Sequence, residues 1–238
     1  YFRVIKEVNP KFFLFENVDG FMYKTHQDAL DYLESESEKL GYNVTYKVVN
    51  SANYGVPQTR KRFICVGIKK ELPKFEFPLE THCDPEKKQQ GKNNWVTCGD
   101  VISDFDNINE EELEQKPGSK HYSLMKDIPP GENYLFYTEK KGHPKPLFEW
   151  KSRYWTFLLK LTPDRPSWTI QASFSNNQGP FHWKNRFLRI EEIKRIQTID
   201  DNYKLEGNFK EQWRQIGNAV PSKLAEIFAN KIKTDYEI

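Results

Sequence analysis

Three observations predict an α/β protein whose regular elements are interrupted by one loop-rich unit. First, residues 11–18 (KFFLFENV) and 62–68 (RFICVGI) are short apolar runs, and residues 42–49 between them alternate as a half-buried strand does. Second, residues 26–40 place Ala29, Leu30, Leu33 and Leu40 at helical spacing, with Gly41 positioned to stop the helix. Third, helical spacing is absent from about 76 to 185, where Pro, Gly and Asn are scattered among short apolar segments, and returns at Ile190, Ile193 and Ile196.

Taken in order, residues 1–70 read β-α-β-β. The run at 11–18 does not alternate and ends in a carboxylate and an amide. It is therefore expected to be a fully buried parallel strand whose polar end faces a ligand, the usual arrangement in open α/β sheets. The loop NSANYGVPQTRKR (residues 50–62) turns at Gly55 and Pro57 and closes on Arg60, Lys61 and Arg62. The last helix is expected after Pro221, with Leu224, Ile227, Phe228 and Ile232 on its apolar face. The expected segmentation is 1–75, 76–185 as a small independent domain, and 186–238. No internal repeat or low-complexity tract occurs.

At 238 residues the chain is long enough to bury a core. Aromatic residues make up 15% of it at a mean hydropathy of -0.82, which fits a folded protein with a polar working surface. No apolar run approaches the roughly 18 residues of a membrane span and no secretory leader is present, so a cytoplasmic location is expected. Cys65, Cys83 and Cys98 form no CxxC pair, and their spacing relative to His82 and His121 is irregular. Reduced structural cysteines and no metal are the expectation. The chain opens at Tyr1 with Phe2, Ile5 and Val8 already on one helical face, and further polypeptide is expected upstream.

Charge is distributed in blocks beneath a net +2. Residues 150–189 hold seven Lys and Arg against Asp164 alone, together with Trp150, Trp155, Trp168 and Trp183. Basic groups interleaved with aromatics fit a surface that neutralises phosphates and packs on sugars or bases, and equally a solvated face over buried tryptophans. The acidic stretch from Asp104 to Glu114 would repel DNA and is expected to face away from it.

Four blocks carry a family resemblance: FENV at 15–18, YGVPQTRKRFICVG at 54–67, RFLRIEEIKRIQTI at 186–199 and RQIGNAVPS at 214–222. In that order they resemble the final blocks of the DNA cytosine-5 methyltransferases, with the family's variable recognition region between the second and third. WTIQASFSNNQGPFHW at 168–183 is similar to the segment that closes this region in bacterial members. The resemblance implies the C-terminal part of a Rossmann-like methyltransferase domain with an inserted target-recognition domain. It also implies S-adenosylmethionine as methyl donor, double-stranded DNA as substrate, and a place in a restriction-modification system.

In that family a cysteine thiolate adds to C6 of a flipped-out cytosine, and C5 then takes the methyl group. The resemblance makes Glu16 the carboxyl group at N3 and the exocyclic amine, with Asn17 ordering the strand end. It gives Arg62, and secondarily Arg60, the O2 and orienting roles, which call for arginine's planar fork. Gln58 would fix the loop. Asn218, Ala219 and Val220 would line the cofactor, with Gly217 permitting close backbone approach. Arg186, Glu191, Glu192, Arg195 and Gln197 would be structural. Arg153, Lys160, Arg165 and Lys184 are the expected DNA contacts.

The family's Gly-rich cofactor loop and Pro-Cys nucleophile have no counterpart: no Gly-x-Gly occurs, and the three cysteines follow Ile, His and Thr. The chain alone is therefore expected to be inactive and to need the missing N-terminal half, in the same polypeptide or as a separate subunit. The rival readings are a non-catalytic DNA-binding subunit, which predicts decay at Glu16, Arg62 and 215–220, and a generic Rossmann-like enzyme, which leaves the basic aromatic block without a purpose.

Overall fold

The computed structural model describes residues 1–108 and 121–236. Helix α1 (Phe2–Val8) ends on Asn9 in the left-handed conformation and leads into β1 (Phe12–Val18). Helix α2 (Gln27–Lys39) buries Leu30 and Leu33 and stops at Gly41, whose φ of 80° suits glycine. Strand β2 (Tyr42–Asn50) follows, then a 3-10 turn at Ser51–Tyr54, the two-residue β3 (Gln58–Thr59), and β4 (Lys61–Lys69).

The sheet order is β1-β4-β2, with both outer strands antiparallel to β4. Within these residues β1 pairs only with β4, in the antiparallel sense and not the expected parallel one, and Leu14 and Val18 are exposed on it. An apolar run without alternation carries no period from which strand direction could be read.

The sheet is covered on both faces. Phe13, Phe63 and Cys65 pack against Leu30 and Leu33 of α2 and Ile5 of α1. On the other face Val49, Ile64, Val66 and Ile68 pack against the last helix, introduced below, through its Leu224, Phe228 and Ile232. Each of these three helix residues contributes roughly 1.5–3 kcal/mol by burial. No helix among the described residues is long and apolar enough to cross a membrane.

The middle of the chain is loop-rich, as its composition predicts. Its regular pieces are β5 (His82–Cys83) paired with β6 (Asn93–Asn94), the short helices α3 (Cys98–Ile102) and α4 (Tyr122–Met125), and β7 (Ser167–Trp168). Thr97 and Asp100 form a reciprocal capping box that starts α3. After this region come α5 (Ile190–Ile196), α6 (Phe209–Asn218) and α7 (Ser222–Tyr236). Asn208 and Glu211 box the start of α6, and α7 begins directly after Pro221.

The core clusters divide residues 186–238 between two places. Helices α5 and α6 share a core with Cys98, Ile102, Leu161, Ile170 and Leu188, while α7 returns to the sheet. Of the acidic stretch at 104–114, residues 109–114 lie outside the described residues. Its first members are ion-paired: Asp104 with Arg195 at 2.6 Å, and Asp106 with Lys184 at 3.8 Å.

Behind α5 lies a buried polar network. Both oxygens of Glu192 accept from Arg186 at 2.8 Å, and one also accepts the Arg189 backbone N–H at 2.7 Å. His182 is fully buried beside it, its Nε2 lying 3.3 Å from Glu192 and 3.5 Å from Asp106. The two carboxylates favour an imidazolium, but His182 Nδ1 accepts the Lys184 backbone N–H at 3.0 Å and must be unprotonated to do so. Burial first, then Arg186 and Lys184, push the His182 pKa down to about 2 from an ordinary 6.5.

Below pH 6.5 the unfolded chain therefore takes up a proton that the folded chain refuses, so stability is full above 6.5 and falls as the pH drops. The expected slope is about 1.4 kcal/mol per pH unit, read from urea unfolding between pH 7 and 5. His182→Gln should remove that component of the slope, and an unchanged slope would contradict a neutral His182.

Candidate active site

The ends of β1 and β4 open onto a cleft of ≈ 830 Å3 that brings together residues from five separate stretches of sequence. One wall holds Glu16, Asn17, Asp19, Arg60 and Arg62; the other holds Trp155, residues 168–172, Gly217 and Asn218. The strand register explains the first wall. Val18 pairs with Arg62 and Glu16 with Ile64, so Glu16 and Arg62 are diagonal neighbours on one face of the sheet. Arg62 Nε reaches Glu16 Oε1 at 2.9 Å, and its Nη1 donates to the Lys61 carbonyl at 2.7 Å. Burial lowers the Arg62 pKa, and the facing Glu16 and Asp19 oppose that shift. The Asn17 side-chain oxygen accepts the Val18 N–H at 2.8 Å, which fixes the strand end.

Of the O2 and orienting roles expected of Arg60, its contacts engage the fork that O2 would need. Arg60 is buried, donating through Nη1 to the Ile170 carbonyl at 3.1 Å and through Nη2 to the carbonyls of Gly217 and Ala219 at 2.9 and 3.2 Å. Burial first, then the neighbouring Arg62, push its pKa down to about 10. With its two terminal nitrogens on backbone carbonyls, Arg60 clamps the second wall to the first rather than contacting a base.

Gln58 joins the same clamp. Its amide donates to Gln197 at 2.5 Å and accepts the Ile170 N–H at 3.2 Å, while Gln197 donates to the Ala219 carbonyl at 2.6 Å. Strands β3 and β7 complete the junction, pairing Gln58 with Ser167 and Thr59 with Trp168 in parallel.

Residues 215–218 form the last turn of α6. A Cβ on Gly217 would lie 2.6 Å from the Ala172 Cα and the Gln171 carbonyl oxygen, so glycine is required here for close approach to the 168–172 backbone. Among the three expected cofactor residues, only Asn218 presents an exposed polar side chain at the cleft. The Ala219 carbonyl is engaged by Arg60 and Gln197, and Val220 packs on the sheet-α7 core. Residues 217–220 therefore fit one edge of a cofactor and not a complete pocket.

The four expected DNA contacts separate. Lys160 is 2% exposed, with Nζ donating to the carbonyls of Ile128 at 2.5 Å and Met125 at 3.3 Å and to Asn185 Oδ1 at 2.7 Å. It is a structural lysine, because those three acceptors take the place of water. Arg165 is bound to Asp84 and Glu86, each at 3.1 Å, which cancels its charge. Lys184 is half-exposed near Asp106, and Arg153 is exposed with its guanidinium 4.7 Å from the Tyr154 ring centroid. Trp155 and Trp168 were missed as members of the site, although both lie in the basic aromatic block.

A carboxylate and a guanidinium are thus held side by side at strand ends, with aromatic rings and a tightly packed glycine across the cleft. Residues 1–234 match C-5 cytosine-specific DNA methylase, and the chain belongs to that family. It is 39% identical over 241 residues to the type II methyltransferase M.SacI of Streptomyces achromogenes, covering 95% of this chain and 61% of the relative. It is 34% identical over 263 residues to the type II methyltransferase M.MthTI of Methanothermobacter thermautotrophicus, covering all of this chain and 70% of the relative. The chain thus spans about two thirds of the length of these relatives. Its α/β methyltransferase fold matches a Spodoptera frugiperda DNMT2 mutant at a TM-score of 0.60 and 14% identity, covering 98% of this chain and 71% of that one.

Proposed function

We propose that these residues form the base-holding and DNA-reading part of a DNA cytosine-5 methyltransferase with a type II modification role, acting on double-stranded DNA in the cytoplasm. The observation that carries this is the Glu16–Arg62 pair, 2.9 Å apart in the cleft. The Watson–Crick edge of cytosine offers an amino donor, N3 and O2 in sequence, and a carboxyl group beside a guanidinium complements that order. A flipped cytosine entering the cleft would divide the ion pair, taking Glu16 at N3 and the amine and Arg62 at O2. As charge builds up on the ring, the fork at O2 stabilises it and the carboxyl group holds the proton at N3.

S-adenosylmethionine would supply the methyl group, with Asn218 at one edge of its site. Residues 76–185 are assigned to target recognition, with Arg153 and Lys184 as the phosphate contacts.

The attacking thiolate is assigned to polypeptide outside these 238 residues. Cys65 and Cys98 are fully buried and Cys83 nearly so, and none lines the cleft. Burial pushes the Cys65 thiol up to about 12 and raises that of Cys98 as well, the reverse of what a nucleophile needs. The chain alone, given tritiated S-adenosylmethionine and DNA of mixed sequence, is expected to transfer no label. Adding the nucleophile-bearing polypeptide should restore transfer. Label incorporated by the chain alone would overturn the assignment.

A further inference from the structure

The first wall of the cleft carries a second carboxylate that the holding of cytosine leaves unused. Asp19 lines the cleft with Glu16 and Arg62, is half-buried, and makes no hydrogen bond or ion pair among the described residues. Its place is nonetheless fixed from two sides. It directly follows Val18, the residue opposite Arg62 in the β1–β4 register, and it opens the 3-10 turn Asp19–Met22. Phe21 of that turn packs on Phe63 and Phe15, with ring centroids 4.8 and 5.4 Å apart, which pins the turn to the two strands that carry Arg62 and Glu16. The Asp19 charge reaches Arg62: with Glu16 it opposes the downward pull of burial on the guanidinium.

Arg62 needs that charge most when the cleft is occupied. Its side chain is 13% exposed, with Nε on Glu16 and Nη1 on the Lys61 carbonyl, while Nη2 has no acceptor among the described residues. An entering cytosine takes Glu16 for N3 and the amine. Beneath a covering of DNA that excludes water, the guanidinium would then be left without a counter-charge, which is the costly way to divide a partly buried ion pair. Among the described residues that line the cleft, Glu16 and Asp19 are the two carboxylates. Neither neighbouring cation competes for Asp19, since Arg60 has its terminal nitrogens on backbone carbonyls and Lys61 is exposed to water. We propose that Asp19 is a positioning residue, the carboxylate to which Arg62 is handed over when the base claims Glu16, so that the fork stays paired and aimed at O2. This rests on the reading of the cleft as a cytosine holder.

The test is single-turnover methyl transfer at saturating DNA, in an enzyme that joins this chain to its attacking thiolate. Asp19→Asn keeps the shape and removes the charge, and it should slow transfer about tenfold with little change in DNA affinity. Asp19→Glu should restore most of the rate. Thermal unfolding of both should stay close to that of the unaltered enzyme, since the carboxylate makes no hydrogen bond. Arg62→Gln removes the group through which Asp19 acts, so adding Asp19→Asn to it should change the rate by less than about twofold. The handover is overturned if Asp19→Asn alone leaves the rate within about twofold of the unaltered enzyme, or if its full effect persists beside Arg62→Gln. It is also overturned if the only change is tighter DNA binding, which would make Asp19 a charge that merely repels phosphates, or if Asp19→Glu is as slow as Asp19→Asn. The underlying cytosine-holding reading has its own readout in the same assay, the loss of rate in Glu16→Gln and Arg62→Lys. If those two slow transfer and Asp19→Asn does not, the handover alone fails; if they do not, the cytosine holder fails with it.

Discussion

Glu16→Gln, in an enzyme that joins this chain to its attacking thiolate, is expected to lower kcat by roughly 10²–10⁴-fold while DNA affinity changes little. Glutamine keeps the shape of the side chain and can still hydrogen-bond the cytosine amine or N3, so ground-state binding survives. It cannot hold or release a proton at N3 as the ring becomes electron-rich, and that loss is confined to the transition state. Arg62→Lys is expected to cost about 10²–10³-fold. An ammonium keeps the charge but not the planar fork that now spans Glu16 and the Lys61 carbonyl. Single-turnover methyl transfer at saturating DNA separates the chemical step from binding. A rise in KM at unchanged kcat for either variant would make the pair a DNA-docking contact instead.

The largest expected effect on stability belongs to Glu192. Its carboxylate is fully buried, binds Arg186 through both oxygens at 2.8 Å, and accepts the Arg189 N–H at 2.7 Å. Burial raises its pKa, and the Arg186 guanidinium pulls in the opposite direction. Glu192→Ala leaves the Arg186 guanidinium in the core with no counter-charge, and urea unfolding should register a loss of about 3–5 kcal/mol. The same network ties Arg186 to the Phe105 carbonyl at 2.9 Å and thereby fixes 98–105 against α5, so the variant should also loosen that segment to hydrogen exchange. A loss below about 1 kcal/mol would mean that water enters and solvates Arg186.

The elements whose order could be read from sequence are those with a period or a stop signal: α2 with its Gly41, and α7 after Pro221. The Glu16–Arg62 pairing was legible only through the family resemblance, since no local pattern puts residue 16 diagonally across from residue 62. Strand direction was not legible for β1. The errors at Lys160 and Arg60 share one cause. A cation in a basic stretch reads as solvated unless its acceptors are known, and here those acceptors are backbone carbonyls and an amide from residues 25 to 159 positions away. Charge counting likewise made 150–189 a uniform DNA surface, whereas Asp84 and Glu86 fold back onto Arg165. The composition did identify the block that supplies Trp155 and Trp168, but only the β3–β7 bridge places Trp168 beside the strands that carry Glu16 and Arg62.

The most direct test of the cleft as the cytosine holder is a crystal structure of the completed enzyme on its target duplex. The account predicts an extrahelical cytosine between the two walls, with the Glu16 carboxyl about 2.6–3.2 Å from N3 or the exocyclic amine, the Arg62 guanidinium on O2, and the Glu16–Arg62 contact opened. A cytosine lodged elsewhere, with Glu16 and Arg62 still paired at 2.9 Å, would contradict it.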